Sequence, residues 1–124
     1  MSAIDTFIET VAAAAPTGPA FTPDAEVDAT VPQWRLHRRG REAVEGEFAR
    51  WYAHPGTFED LIRTPIPGGE VVEWVLCWEE DGVPFACHQV HILQLGQDGL
   101  IHTDRVWCGG RWPAALLAEM AEAE

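Results

Sequence analysis

The sequence contains no lysine, and all eight of its basic residues are arginine. Schiff-base chemistry and a lysine nucleophile are therefore excluded. Acidic residues outnumber the basic ones, which gives a net charge of −12. Proteins that bind nucleic acid or an anionic membrane surface carry a basic patch, so we expect neither of these partners.

Long apolar segments are absent as well. No run approaches the roughly 20 apolar residues that a transmembrane helix requires. The first residues, Met1–Glu9, include no basic region, so we expect no secretory signal. The three cysteines, Cys77, Cys87 and Cys108, form no CxxC pattern. An odd number of cysteines within apolar strands favours free thiols in a reducing cytoplasm.

Several sequence patterns of catalytic and metal sites are also missing. The chain has no glycine-rich phosphate loop, no GxSxG turn and no Cys–His nucleophile pattern. His88 and His91 form an HxxH pair, but on a strand this spacing directs the two rings to opposite faces. We therefore expect no metal site and no cofactor.

The composition is that of a soluble globular protein, and its 124 residues suggest one domain, residues 1–124, with a single core. Periodicity predicts helices over residues 5–15, 41–52 and 112–122, and strands over 26–31, 57–64, 70–80, 83–95 and 100–108. Residues 35–40 are expected to form a basic loop. This order indicates an α+β fold in which helices cover one side of a curved antiparallel sheet. Such a sheet forms a cone whose open end can hold a small apolar ligand.

The most informative segment is Val83–Cys108. Two apolar-rich runs flank the sequence Gly-Gln-Asp-Gly, which predicts a β-hairpin. His91 and Asp104 interrupt these runs. A polar side chain among apolar neighbours is either paired or used in chemistry. By alternation, His91 shares its strand face with Cys87 and Gln89.

Three further segments resemble family motifs. FTPDAEV at residues 21–27 is similar to the start of a first strand, and RGREAV at 39–44 to the start of an inserted helix. HILQL at 91–95, followed by DGLI at 98–101, is similar to a C-terminal hairpin. In this order the segments resemble the nuclear transport factor 2-like superfamily and its SnoaL-like group. Its members include SnoaL-type polyketide cyclases, ketosteroid isomerase and limonene epoxide hydrolase. Residues 16–19 cut the first helix shorter than is usual there.

The resemblance implies the cone fold and a small-molecule enzyme of the cyclase or isomerase type. Such an enzyme would do acid/base chemistry on an apolar carbonyl or polycyclic substrate. Two alternatives stay open: a non-catalytic domain that binds a small ligand or a protein, and an epoxide-hydrolase or dehydratase activity. The family commonly forms homodimers through the outer sheet face, where Val71, Val75 and Cys77 supply apolar surface.

Two residues are the candidate catalytic groups. The resemblance places His91 where ketosteroid isomerase has its oxyanion-hole acid, so His91 could polarise a carbonyl or act as a base. The structural alternative is a half-buried histidine whose hydrogen bonds are satisfied by a neighbour or by water. We hypothesise that Asp104 meets His91 and orients its ring or shuttles protons. The alternative for Asp104 is a surface contact with Arg105 or Arg63.

Other family chemistries have weaker support in this chain. The isomerase base falls at Ala29, with Asp28 one residue away on the opposite face, so the steroid-isomerase reaction is not expected. The water-activating Asp–Arg–Asp group of the epoxide hydrolase would need Asp60 and Asp104 with Arg35 or Arg63, and their spacing does not require it.

Six tryptophans and several phenylalanines could line a flat pocket for a planar ligand, although core or dimer packing is the structural alternative for any one of them. The arginines between residues 35 and 41 could meet an anionic group, or they could decorate a solvated loop. The predicted substrate-binding residues are Trp34, Phe48, Trp51, Trp74, Gln89 and Cys108.

Overall fold

A computed structural model describes residues 1–124. The helices are α1 (Ala3–Ala13), α2 (Arg41–Trp51) and α3 (Ala114–Glu122), with one 3-10 turn at Gly18–Ala20. The strands are β1 (Phe21–Val31), β2 (Trp34–Arg39), β3 (Gly56–Ile66), β4 (Gly69–Glu80), β5 (Val83–Leu95), β6 (Ile101–Cys108) and β7 (Trp112–Pro113).

All seven strands join one sheet in the order β2-β1-β6-β5-β4-β3, with β7 added to β5. Neighbouring strands are antiparallel except β1 and β6, which run parallel, so the sheet is mixed rather than purely antiparallel. The predicted α+β class is confirmed. None of the helices is long and apolar enough to cross a membrane.

The hairpin predicted within Val83–Cys108 forms, because β5 and β6 pair antiparallel. Asp81 and Gly82 both have positive φ angles, 51° and 79°, and join β4 to β5. This is the backbone that a two-residue hairpin turn requires. β5 then pairs with β6, and the register sets Gln89 opposite Cys108.

The expected basic loop at residues 35–40 is wrong, because most of this segment is strand β2. β2 pairs with β1, and two of its three arginines meet acidic side chains of that strand. Arg35 contacts Asp28 at 2.6 Å and Arg39 contacts Glu26 at 2.7 Å. Cross-strand ion pairs let a charged segment form an edge strand, and charge alone had indicated a loop.

The last helix begins at Ala114 rather than at Trp112. Trp112 and Pro113 pair with β5 as the short strand β7. Because Trp112 precedes a proline, its backbone is restricted to extended conformations, and the helix starts after Pro113.

Aromatic rings fill much of the interior of the cone. Phe7 of α1 is fully buried, and its ring centroid lies 5.4 Å from that of Phe21, 5.6 Å from Phe48 and 6.1 Å from Trp74. The ring of Phe7 also meets His91 edge-on at 5.1 Å. The helices therefore close one part of the cone, and open space remains beside the C-terminal end of α2.

Candidate active site

A cavity of about 430 Å³ lies between the C-terminal end of α2 and the sheet. We call it the α2 cavity. Its walls include Trp51 of α2, Trp78 of β4, Cys87 and Gln89 of β5, and Cys108 of β6. An apolar cavity with a few converging polar groups is the usual form of a small-molecule site.

The charged side chains of Arg50, Glu80 and Arg111 also line this cavity. Glu80 accepts a hydrogen bond from Trp78 Nε1 at 3.1 Å, lies 3.3 Å from His54 Nε2 and pairs with Arg111. The hydrogen bond from Trp78 and the guanidinium of Arg111 hold the pKa of Glu80 below its usual range. Arg111 also lies over the ring of Phe85, 4.9 Å from its centroid.

The predicted substrate-binding residues occupy three different places. Trp51, Gln89 and Cys108 line the α2 cavity. Phe48 and Trp74 are fully buried in the core, because both pack in the aromatic cluster around Phe7. Trp34 is 71% exposed at the start of the edge strand β2 and lies outside the cavity. The roles of all six residues in substrate binding stay predictions.

His91 and Asp104 meet, but below the cavity rather than in its wall. His91 Nδ1 lies 2.7 Å from Asp104 Oδ2, and both residues are completely buried. Neither surface partner considered for Asp104 binds it, since Arg63 binds Asp5 and Glu70, and Arg105 is exposed. Because no surface of His91 or Asp104 is open, neither can touch a ligand in this arrangement.

A chain of hydrogen bonds connects this pair to the cavity. His91 Nε2 lies 3.0 Å from the hydroxyl of Tyr52, which donates to Gln89 Oε1 at 2.7 Å. Trp74 Nε1 also donates to Gln89 Oε1, at 3.0 Å. Gln89 Nε2 donates to Cys108 Sγ at 3.3 Å. Polar groups therefore follow one another from the core to the cavity wall.

The donors in this chain determine where its protons lie. The indole of Trp74 can only donate, so the Gln89 atom it meets is the carbonyl oxygen. Tyr52 gives its one proton to that oxygen, since two acceptors cannot face each other at hydrogen-bond distance. His91 Nε2 must then carry a hydrogen and donate to Tyr52. One proton is left for the contact between His91 Nδ1 and Asp104.

Burial raises the pKa of Asp104, and its charge and hydrogen-bond interactions with His91 offset only part of this effect. The second carboxyl oxygen, Oδ1, has no hydrogen-bond partner. An unpaired oxygen is less costly on a neutral acid than on a carboxylate. We therefore assign the shared proton to Asp104, which leaves an uncharged pair.

Cys108 has the thiol in the cavity whose pKa is lowered. A hydrogen bond from the Cys87 thiol is the largest of several causes that lower the pKa of Cys108 to about 6. Gln89 Nε2 and the backbone N–H of Gly110, 3.4 Å from the sulfur, also stabilise the thiolate. The pKa of Cys87 rises correspondingly, and burial raises that of Cys77. The surroundings of Cys108 therefore favour its thiolate, whereas those of Cys77 and Cys87 favour the thiol.

The structure does not bring together the HxxH pair or a base at the position of Ala29. His88 is exposed and His91 buried, so the HxxH pair does not converge, and the chain has no group of three His, Cys, Asp or Glu residues placed to hold a metal ion. Ala29 is buried in β1, and its neighbour Asp28 pairs with Arg35 outside the cone.

Four residues near the cavity were not found from the sequence: Tyr52, His54, Glu80 and Arg111. All four lie at the end of a helix or strand or just beyond it, where alternation says little about direction. Tyr52 follows the last turn of α2, and its location next to Trp51 was the only available signal.

Comparison with solved structures identifies the fold. The SalBIII epoxide hydrolase/cyclase-like enzyme of pyran ring formation in salinomycin superposes with a TM-score of 0.67 at 17% identity, over 86% of this chain and 88% of that one. A ketosteroid isomerase-like protein from Catenulispora acidiphila, solved with trimethylamine, gives 0.62 at 19% identity over 86% and 85%. An NTF2-like protein of unknown function from Burkholderia xenovorans gives 0.61 at 18% over 86% and 80%.

These similarities define a class by its fold: the chain has the nuclear transport factor 2-like cone. The fold expected from the resemblance is confirmed. No family model matches the sequence. No characterised protein matches it by sequence either.

Proposed function

We propose that this chain is a small-molecule enzyme that does acid/base chemistry on an apolar carbonyl compound in the α2 cavity. The observation that carries the proposal is the hydrogen-bonded chain from Asp104 to Gln89, which ends at the cavity wall. A buried polar chain of this kind is costly to build and rigidifies what it holds. The group it holds here is the amide of Gln89.

Gln89 is the group suited to polarise a carbonyl. Its oxygen is fixed by Trp74 and Tyr52, so its amide nitrogen must face Cys108. That nitrogen has two hydrogens and makes one hydrogen bond within the protein. The second hydrogen is available to the oxygen of a bound ketone, where it would stabilise the negative charge of an enolate.

Cys108 is the proton acceptor in this proposal. Its sulfur lies 3.3 Å from Gln89 Nε2, so a carbonyl bound to Gln89 would hold its α-carbon near the sulfur. With a pKa of about 6, this thiol is ionised at neutral pH yet basic enough to remove an acidified proton. His91 and Asp104 act as positioning residues through Tyr52, not as groups that touch the substrate.

The planar walls select the substrate. Trp51 and Trp78 line the cavity, and Trp78 is itself stacked on Phe85 at 5.8 Å between centroids. Aromatic walls favour flat, largely apolar molecules. A fused-ring ketone such as 2-tetralone has both the flat body and the acidified α-protons that the proposal requires.

Proton exchange tests the proposal without knowledge of the natural substrate. 2-Tetralone is incubated with the protein in D2O, and loss of its α-proton signals is followed by 1H NMR. The wild-type chain is expected to accelerate exchange over buffer, and Cys108→Ser to lose about 100-fold of that acceleration. Cys77→Ser is the matched control, because Cys77 lies away from the cavity and should change nothing.

A non-catalytic binding domain is the second candidate, and one observation favours it: His91 and Asp104 are sealed from the cavity. In that case 2-tetralone would bind and quench tryptophan fluorescence, while its α-protons exchanged at the buffer rate. Absence of both binding and exchange would reject both candidates.

We also propose that two copies associate through the outer face of the sheet. Val71, Val75 and Cys77 are half-buried on the outer side of β4 in the isolated chain. Trp107 of β6 is 46% exposed on the same side of the sheet. A patch of partly exposed apolar residues with a large aromatic side chain is typical of such contacts.

A further inference from the structure

Two cysteines and one amide converge in the α2 cavity. Gln89 lies directly opposite Cys108 in the β5–β6 register, and Cys87 occupies the diagonal position on the same face. All three side chains line the cavity. Gln89 is only 3% exposed, and one of its amide hydrogens has no partner in the protein. The Cys108 thiol is therefore part of a preformed site that has an apolar wall and a hydrogen-bond donor.

We propose that Cys108 is a nucleophile that adds to planar α,β-unsaturated ketones bound in this cavity. The inference rests on the proposed function to the extent that the same cavity must hold a carbonyl compound against Gln89. It goes further by naming the substrate class and a covalent step.

The step uses only groups that are present. The Cys108 thiolate forms a carbon–sulfur bond at the β-carbon, and the electron pair of the carbon–carbon double bond shifts to make an enolate. The enolate oxygen accepts the free hydrogen of Gln89 Nε2, as an oxyanion would. The α-carbon then takes a proton from water, and the product is a β-thioether ketone. No oxidant or reductant is consumed.

The local environment gives Cys108 a different ionisation state from the other two thiols. The pKa of Cys108 is about 6, whereas the pKa values of Cys77 and Cys87 are raised, so only Cys108 is ionised at neutral pH. The thiolate is the reactive form, although a thiolate of low pKa is less nucleophilic than one of high pKa. Selectivity therefore comes from ionisation together with binding of the ketone beside the sulfur.

The sequence makes the reaction simple to observe. Lysine amines compete with thiols for conjugated ketones in most proteins, but this chain has no lysine. Benzylideneacetone is a flat conjugated ketone, and its saturated analogue benzylacetone has the same body without the reactive double bond. The first is the probe, and the second competes for the cavity without reacting.

The experiment is to incubate the full chain with benzylideneacetone, measure its intact mass over time and locate the adduct by peptide mapping. We expect one adduct, on Cys108, formed about tenfold faster than on Cys77 at neutral pH. The rate should rise with pH with a midpoint near 6, the pKa of Cys108. Benzylacetone should slow the reaction at Cys108, and Cys108→Ser should leave only the slower reaction at Cys77.

The matched variants separate recognition from simple thiol reactivity. Gln89→Leu removes the donor to the sulfur and to the ketone, so the pH midpoint should rise and the protection by benzylacetone should weaken. Cys77→Ser should leave the rate on Cys108 unchanged.

Two results would overturn the inference: equal labelling of Cys77 and Cys108, or a rate on Cys108 that benzylacetone does not affect. The two experiments distinguish a failure of this inference from a failure of the proposed function. If 2-tetralone exchanges while benzylideneacetone forms no adduct, only the covalent step fails. If a benzylacetone-sensitive adduct forms while 2-tetralone does not exchange, the acid/base function fails and the nucleophile stands.

Discussion

His91 Nδ1 lies 2.7 Å from Asp104 Oδ2, although the strand register sets these residues diagonally and not directly opposite each other. Diagonal neighbours on one sheet face can meet when both side chains are long enough. The contact is completely buried and shares one proton, so its energy depends on where that proton lies.

Replacement of Asp104 tests the location of this proton. Asp104→Asn keeps a donor toward His91 Nδ1, as the neutral acid has, and should cost less than about 1 kcal/mol of the free energy of unfolding. Asp104→Leu leaves His91 Nδ1 without a partner and should cost about 1 to 3 kcal/mol. Urea denaturation of both variants measures the difference. Equal losses would place the proton on His91 instead.

The raised pKa of Asp104 also predicts a pH dependence. A carboxyl group whose pKa is higher in the folded state stabilises the fold below its unfolded pKa and loses this contribution as the pH rises through the folded pKa. The stability of the wild type relative to Asp104→Asn should therefore fall as the pH increases from about 4 upwards. Denaturation series from acidic to neutral pH measure it, and a constant difference would contradict the assigned shift.

Tyr52 is expected to control Cys108 from a distance. Tyr52→Phe removes the hydrogen bonds to His91 and Gln89 while keeping the ring, so the Gln89 amide is held less firmly against the sulfur. The pKa of Cys108 should rise above its value of about 6. The pH profile of iodoacetamide labelling gives this pKa, and labelling of Cys77 serves as the internal control. An unchanged midpoint would show that Gln89 is positioned without Tyr52.

Tryptophan fluorescence can locate ligand binding. Trp51 and Trp78 line the α2 cavity, whereas Trp34 is exposed outside it. Quenching by 2-tetralone should decrease in Trp51→Phe and Trp78→Phe and stay unchanged in Trp34→Phe. The opposite result, in which only Trp34→Phe loses quenching, would move the ligand site to the edge strand β2.

Phe7 should matter for stability more than any other residue of α1. Its ring is fully buried against Phe21, Phe48, Trp74 and His91. Phe7→Ala should cost about 3 to 5 kcal/mol, and Phe7→Leu clearly less, because leucine fills more of the space. Chemical denaturation compares the two variants. A loss below about 1 kcal/mol in Phe7→Ala would mean that α1 contributes little to the core.

The proposed association has its own test at Trp107. Trp107→Glu adds a charge to the outer sheet face without touching the interior, because this side chain points away from the core. Sedimentation velocity should show a dimer for the wild type and a monomer for the variant. Trp34→Glu is the control for a general effect of a new surface charge. Two monomeric proteins would reject the dimer.

Alternation predicted the interior face of the C-terminal hairpin well. His91, Gln89 and Cys87 share a buried face, as a period of two residues requires. The pairing of His91 with Asp104 could be hypothesised because two buried polar side chains on adjacent strands need partners. The isolation of His91 and Asp104 from the cavity could not be predicted, because it depends on how Phe7 and Phe48 pack against them from the helices.

The charged segment at residues 35–40 shows a limit of local patterns. Its arginines indicate a loop only while their acidic partners, Asp28 and Glu26, are unknown. Similarly, no periodicity distinguishes Trp74 in the core from Trp78 at the cavity, although both point to the same side of β4. Position along the strand, relative to the end of α2, separates the two.

The parallel pairing of β1 with β6 joins the first strand of the chain to its last long strand. Val27 lies beside Asp104, so this contact closes a loop that contains β2, α2, β3, β4 and β5. On a ribosome, β1 and its edge partner β2 have no inner neighbour until the last long strand has emerged. Contacts that close such long loops form late and slowly during folding. A chain truncated before β6 would leave the inner edge of β1 unpaired, and we expect it to aggregate.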